Sequence, residues 1–161
     1  MEPGFYYLRA SPAVSPIGGM YATSEGSDTP VRVAARVPPL EDRQIWRVDI
    51  IPSPGMPLKA HIILAFSDLP VVMAWSLRGE RPIPEDPVML SQDVSKHVTW
   101  DLEKIDNGIE DAWTLRAETT TIGVHWYAGT SPHGEVIFKV LPIGVPVEEK
   151  PYWVFTPARR G

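Results

Sequence analysis

Gln44-Ile45-Trp46-Arg47-Val48-Asp49-Ile50 is a short alternating run centred on a tryptophan. Val98-Thr99-Trp100-Asp101-Leu102-Glu103-Lys104-Ile105 and Pro151-Tyr152-Trp153-Val154-Phe155-Thr156-Pro157 repeat the theme, so Trp46, Trp100 and Trp153 recur at spacings of 54 and 53 residues. A fixed period of this size marks a repeat architecture. Three copies are too few for a long solenoid and fit a closed structure with threefold pseudosymmetry. Side chains alternate across a strand, so Trp46, Val48 and Ile50 should face a core while Ile45 and Arg47 point the other way.

Other positions keep step. Tyr7-Leu8-Arg9-Ala10 returns as Thr114-Leu115-Arg116-Ala117, 107 residues later, which is two periods. Met20-Tyr21-Ala22, Ala74-Trp75-Ser76 and His125-Trp126-Tyr127 each carry an aromatic. Pro30-Val31-Arg32-Val33, Pro87-Val88-Met89-Leu90 and Glu135-Val136-Ile137-Phe138 form a further set. The 18 prolines are about double ordinary usage. Proline fixes φ and removes a ladder donor, so it belongs at strand ends and in loops and leaves little room for helices. The segments between breakers read as twelve strands, roughly 5–10, 20–25, 31–36, 44–50, 58–66, 71–77, 87–91, 98–105, 112–118, 122–128, 135–141 and 151–157. The one helical candidate, 101–111, contains the turn signal Asp106-Asn107-Gly108 and reads as a loop. Twelve strands in three four-stranded repeats, approximately 1–51, 52–108 and 109–161, predict an all-β, single-domain β-trefoil: a six-stranded barrel capped by three hairpins.

Composition excludes several function classes. A net charge of −5 without a basic run argues against nucleic acid, because few phosphate counterions would be released. With no cysteine there is no disulfide, thiolate metal site or cysteine nucleophile. The N-terminus lacks the regions of a signal peptide and no apolar run reaches membrane-spanning length, so the expectation is a soluble cytoplasmic protein. His61, His97, His125 and His133 lack metal-ligand spacing and no cofactor fingerprint is present. Gly18-Gly19 precedes a strand rather than a helix, which makes it a poor phosphate cradle. The carboxylates Glu85-Asp86, Asp106, Glu110-Asp111 and Glu148-Glu149 read as solvated loop charges. Neither an enzyme nor a metal or cofactor is expected.

Gly18-Gly19-Met20-Tyr21-Ala22-Thr23 and Arg43-Gln44-Ile45-Trp46, with Pro151-Tyr152-Trp153-Val154-Phe155 at the end, resemble the mycocypins, the fungal clitocypin and macrocypin protease inhibitors. The resemblance implies a β-trefoil without catalytic chemistry; a storage or defence protein with no single target is a further reading. The resemblance further implies inhibition of papain-like cysteine proteases by two loops that enter the cleft. The matching positions are Pro16, Ile17, Gly18, Gly19 and Met20 in one loop and Pro38, Pro39, Leu40, Glu41 and Asp42 in the other. Glycine allows close backbone approach, proline limits the entropy lost on binding, and Ile17 and Leu40 offer apolar anchors. Gly19 should then accept a bulky residue with little loss of stability. The family's second inhibitory loop, which takes legumain or trypsin, corresponds to 66–70 with Ser67, Asp68 and Leu69; it holds neither Asn, Lys nor Arg, so neither legumain nor trypsin is expected there.

Two alternatives stand beside this reading. Arg78 and Arg81, in a proline-flanked loop, could bait a trypsin-type serine protease. A carbohydrate-binding lectin is the other, since trefoil folds do not fix function. The Gln-x-Trp pattern occurs at Gln44–Trp46, but Asp49 and Asp101 find no third-repeat counterpart. A papain-like protease is the expected partner, with the inhibitor a monomer.

Overall fold

The computed structural model describes residues 1–11, 18–52, 54–55, 58–66 and 70–158. Strands are β1 Gly4–Ala10, β2 Met20–Thr23, β3 Thr29–Pro30, β4 Arg32–Ala35, β5 Ile45–Ile51, β6 Leu58–Leu64, β7 Ala74–Ser76, β8 Met89–Ser91, β9 Trp100–Lys104, β10 Ala112–Ala117, β11 Val124–Thr130, β12 Val136–Pro142 and β13 Trp153–Pro157. Every pairing is antiparallel. β1 pairs β5, β5 pairs β6, β6 pairs β9, β9 pairs β10, β10 pairs β13, and β13 returns to β1. This closes a six-stranded barrel, which leaves its strands no free edge within the ring. β2 with β4, β7 with β8, and β11 with β12 form three hairpins. The architecture is the β-trefoil. The third strand, expected over 31–36, runs Arg32–Ala35 and is preceded by the two-residue strand Thr29–Pro30; the Asp106–Asp111 segment is a loop, with Gly108 at φ 82°.

The register carries the symmetry. Trp46 faces Tyr6, Trp100 faces Ala60, and Trp153 faces Trp113. Two residues further along, Val48 faces Ile62, Leu102 faces Leu115, and Phe155 faces Leu8. These last six side chains are all buried and form one layer inside the barrel. Above it lie Trp46, Trp100 and Trp153, also buried. By area, each buried tryptophan contributes about 4–6 kcal/mol as an upper figure.

The tip-proximal strands of the hairpins meet at the pseudo-threefold axis. Val31 N–H donates to Val88 O, Val88 N–H to Val136 O, and Val136 N–H to Val31 O, each at 2.8 Å. The valine set expected from sequence is therefore a ring of equivalent positions. The aromatic set is not. Ala22 pairs with Val33, Trp75 with Leu90, and Ala128 with Phe138, each partner lying two residues beyond a ring valine. The true equivalents are Ala22, Trp75 and Ala128, so matching Tyr21, Trp75 and Trp126 was out of register by one residue in the first repeat and two in the third. The asymmetry has a steric cause: only one indole fits on the axis. Trp75 packs edge-on against Trp46, Trp100 and Trp153, at ring-centroid distances of 5.6, 6.0 and 5.7 Å. The alanines leave that room, and their carbonyls accept from Trp46 Nε1–H at 3.0 Å and Trp153 Nε1–H at 2.9 Å. Trp75 O instead accepts from Val98 N–H, and Trp100 Nε1 has no partner among the described residues.

On the barrel wall, cross-strand charges pair. Asp101 is buried between Lys59 (2.8 Å) and Arg116 (3.1 Å), and Arg116 also meets Glu103 at 2.9 Å. His61 lies 6.2 Å from His97, ring to ring. Burial first, then the neighbouring His97, hold the His61 imidazole below its ordinary value, against an opposing pull from Asp49. His125 is lowered in the same sense, by burial and then by Arg116 and Lys150.

Two outcomes follow from this packing. Trp75→Ala removes the indole shared by three others and should cost about 3–5 kcal/mol in urea unfolding. A depressed histidine means that the unfolded chain takes up its proton first, so this stabilisation is full above the ordinary imidazole range, about pH 6.5. It is lost as pH falls through the lowered folded values. Unfolding free energy should therefore be greater at pH 7.5 than at pH 5.5, and His61→Gln should reduce that difference.

Candidate functional site

Met20 pairs with Ala35 at the open end of the first hairpin. The chain immediately before Met20 is Gly18-Gly19; the chain soon after Ala35 is Val37 and the 3-10 turn Pro38–Gln44. The register thus brings the two expected segments to one place. Pro16 and Ile17 of the first segment lie outside the described residues, as do Ser67, Asp68 and Leu69 of the second inhibitory loop. Pro38, Pro39 and Asp42 are exposed, Met20 is 44% exposed, and Leu40 and Glu41 are half-buried. The second segment is not an open loop but a tight turn, begun by two prolines whose fixed φ suits its first positions. Leu40 N–H donates to Val37 O at 2.9 Å within it.

The two glycines differ. Both have positive φ, 78° at Gly18 and 93° at Gly19, a conformation that side chains resist. Among the described residues a Cβ on Gly18 would meet nothing within 4 Å, whereas one on Gly19 would lie 2.7 Å from Arg9 Cδ. Gly19 is therefore a packing residue over the buried Arg9, and a bulky replacement there is not neutral for stability. Gly18 is the uncovered one.

Beneath the segments lies a small apolar cluster of Tyr7, Tyr21 and Ile45, separate from the main core. Tyr7 and Tyr21 stack edge to face at 6.2 Å, and the Arg36 guanidinium sits 3.8 Å from the Tyr7 ring centroid. The Tyr7 hydroxyl points to Glu41 Oε2 at 3.5 Å. Gln44 is wholly buried; its Nε2 lies 3.1 Å from Thr23 Oγ1, 3.1 Å from Ala35 O and 3.3 Å from Ala34 O. This amide ties β2, β4 and the 3-10 turn together. Ser24 N–H donates to Arg43 O at 2.8 Å, closing the same corner. On the other side, Ser11 N–H donates to Tyr152 O, and Tyr152 N–H to Ser11 Oγ, both at 3.0 Å. The sequence places Gln44 in a strand, in the family motif and in the Gln-x-Trp pattern, and gives Tyr7, Arg9 and Arg36 no role at this site. A polar residue just ahead of an apolar strand was the available signal for Gln44; the others depend on a fold-wide contact.

The arrangement leaves Pro38 and Pro39 exposed and the Gly18 backbone clear of the other described residues, so it offers a partner backbone and proline rings. Small ligands are ordinarily held in concave pockets. Two surface grooves, of about 550 and 540 Å³, lie elsewhere, around Ile105–Ile109 and around His97, Thr99 and Glu118. The alternative bait arginines are also apart. Arg78 is held by Asp86 at 2.9 Å, while Arg81 is exposed in the β7–β8 connection and borders the second groove. Asp101, weighed as a sugar ligand, is committed to Lys59 and Arg116.

Removing the buried amide should loosen this corner. Gln44→Ala strips Thr23 and two carbonyls of a donor and should cost about 1–3 kcal/mol. Thermal unfolding measures the loss, and hydrogen exchange should locate added opening at Ala34–Arg43.

A family model described as "Peptidase inhibitor clitocypin" matches residues 4–155. Two relatives from Clitocybe nebularis, Clitocypin-2 and Clitocypin, are each 26% identical over 159 residues, covering 97% of this chain and 97% and 98% of their own. Among solved structures, the designed 3-fold symmetric protein ThreeFoil superposes with a TM-score of 0.59 over 96% of this chain and 99% of its own, at 15% identity. That likeness shows the fold alone and agrees with the threefold barrel. The chain belongs to the clitocypin family of peptidase inhibitors, proteins that act by binding proteases and not by catalysis.

Proposed function

We propose that this protein inhibits papain-like cysteine proteases by laying the Gly18–Met20 and Pro38–Asp42 segments into the active-site cleft. The observation that carries this reading is the Met20–Ala35 pairing, which sets an uncovered glycine backbone beside a proline-stiffened turn. A narrow cleft with a reactive thiol at its floor admits backbone more readily than bulky side chains. The turn is held by the Gln44 amide and the Ser24–Arg43 bond before any partner arrives, which lowers the ordering cost of association. Protease–inhibitor interfaces bury on the order of 1,600 Å² in total, an area that two adjacent segments and their flanks can supply. The inhibitor acts as a monomer in this reading, because each hairpin's open end is built within one chain.

Titration of papain, trypsin and legumain with the protein tests the proposal. Papain should be inhibited at nanomolar to micromolar concentration with the inhibitor left intact; no inhibition at tens of micromolar would reject it. Trypsin inhibition abolished by Arg81→Ala would favour the serine-protease reading instead. Gly18→Trp should weaken papain inhibition at least about tenfold, or about 1.4 kcal/mol. Its stability cost should stay near the roughly 1–2 kcal/mol of a left-handed backbone residue, because a Cβ there meets none of the described residues within 4 Å.

A further inference from the structure

Among the described residues eight large apolar side chains are exposed, and seven of them border the open ends of the three hairpins. Met20 and Val37 flank the first and Val72 and Val94 the second. Ile122 at 95% exposure, Ile143 at 59% and Val147 at 37% flank the third. Exposed apolar groups gathered at one kind of position mark contact surfaces more often than scattered ones do. The third hairpin is the most exposed of these ends.

The third end also repeats the chemistry of the first. Pro39-Leu40-Glu41-Asp42-Arg43-Gln44-Ile45-Trp46 is matched, 107 residues on, by Pro146-Val147-Glu148-Glu149-Lys150-Pro151-Tyr152-Trp153. Both stretches begin with proline, place an apolar residue, two acids and a base in the same order, and end on an equivalent core tryptophan. Both fold as 3-10 turns, over Pro38–Gln44 and Val147–Glu149. Glu149 N–H donates to Pro146 O at 3.0 Å and Lys150 N–H to Val147 O at 3.2 Å. Ahead of β11 stands Gly123, with φ 85°, where a Cβ would meet none of the described residues within 4 Å, as at Gly18. Ile143 N–H donates to Gly123 O at 3.3 Å, so the two third-repeat segments touch directly. The second repeat departs from the pattern. Its turn, Val94–Lys96, follows Asp93 instead of proline, lacks the acidic pair, and has no glycine before β7.

We propose that Ile122–Gly123 with Ile143–Lys150 forms a second protease-binding edge, which takes another molecule of the class that binds the first. This rests on the proposed function above. The occupant follows from charge and backbone: a surface complementary to the apolar-acid-acid-base order on one turn is complementary to it on the other. The hairpins join near their tips at the Val31–Val88–Val136 ring, and each open end lies at the end of its hairpin opposite that ring. Two bound proteases would then occupy the open ends of two different hairpins of one inhibitor.

Native mass spectrometry of the full chain with excess papain tests this, paired with active-site titration. The wild-type protein should bind two papain molecules at saturation. Ile122→Asp/Ile143→Asp should bind one and keep the tighter site; Gly18→Trp should also still bind one. Both substituted residues of the double variant are solvent-exposed, and circular dichroism verifies its fold. A wild-type complex that stops at one papain, is abolished by Gly18→Trp and is unchanged by the double variant would overturn the second edge alone. No papain bound by the wild-type protein would overturn the proposed function and this inference together.

Discussion

Three backbone hydrogen bonds, Val31 to Val88, Val88 to Val136 and Val136 back to Val31, hold the hairpin triplet together. All three valines are fully buried. A buried backbone donor or acceptor without a partner is costly, so each strand needs the other two present. The ring cannot form from one repeat or from two. It makes the three repeats one cooperative body, although their sequences have diverged to a shared tryptophan, a shared valine and a few breakers. Trp75 then fills the space beside the ring that symmetry would otherwise divide among three residues, with Ala22 and Ala128 conceding the volume.

A frame fixed at the axis leaves the opposite ends of the hairpins as platforms. Barrel and ring decide where a connecting segment starts and stops; they place little demand on what lies between. That separation explains how an uncovered glycine, a proline-led turn and exposed isoleucines are tolerated. Their cost is local and is met by local anchors: Gln44 under the first end and the Ile143–Gly123 bond at the third. The proposed inhibition by exposed segments draws on such rigidity, because each segment ordered in advance is one that binding does not have to order.

The fold was legible because its strongest constraints are periodic. Trp46, Trp100 and Trp153 occupy the same barrel position three times, and the Val31, Val88 and Val136 set fell on the axis. Aromatic matching failed at Tyr21 and Trp126 for a physical reason: the axial site admits one large side chain, so equivalent positions there must differ in size. The site was legible in part. Glycine and proline announce backbone character, and the resemblance to the inhibitor family located the segments. Packing consequences were not readable. Arg9 looks like an outward-facing strand residue, and only its contact under Gly19 shows why that glycine is needed. The 3-10 turn over Pro38–Gln44 likewise depends on a buried amide whose partners lie as far as 21 residues away.

Amide hydrogen exchange under native conditions measures the ring directly. If the three repeats are locked as described, the Val31, Val88 and Val136 amides will share one opening free energy equal to that of global unfolding. Exchange at any one of the three through a smaller, local opening would contradict that account, since it would mean that a hairpin can leave the axis while the rest of the protein stays folded.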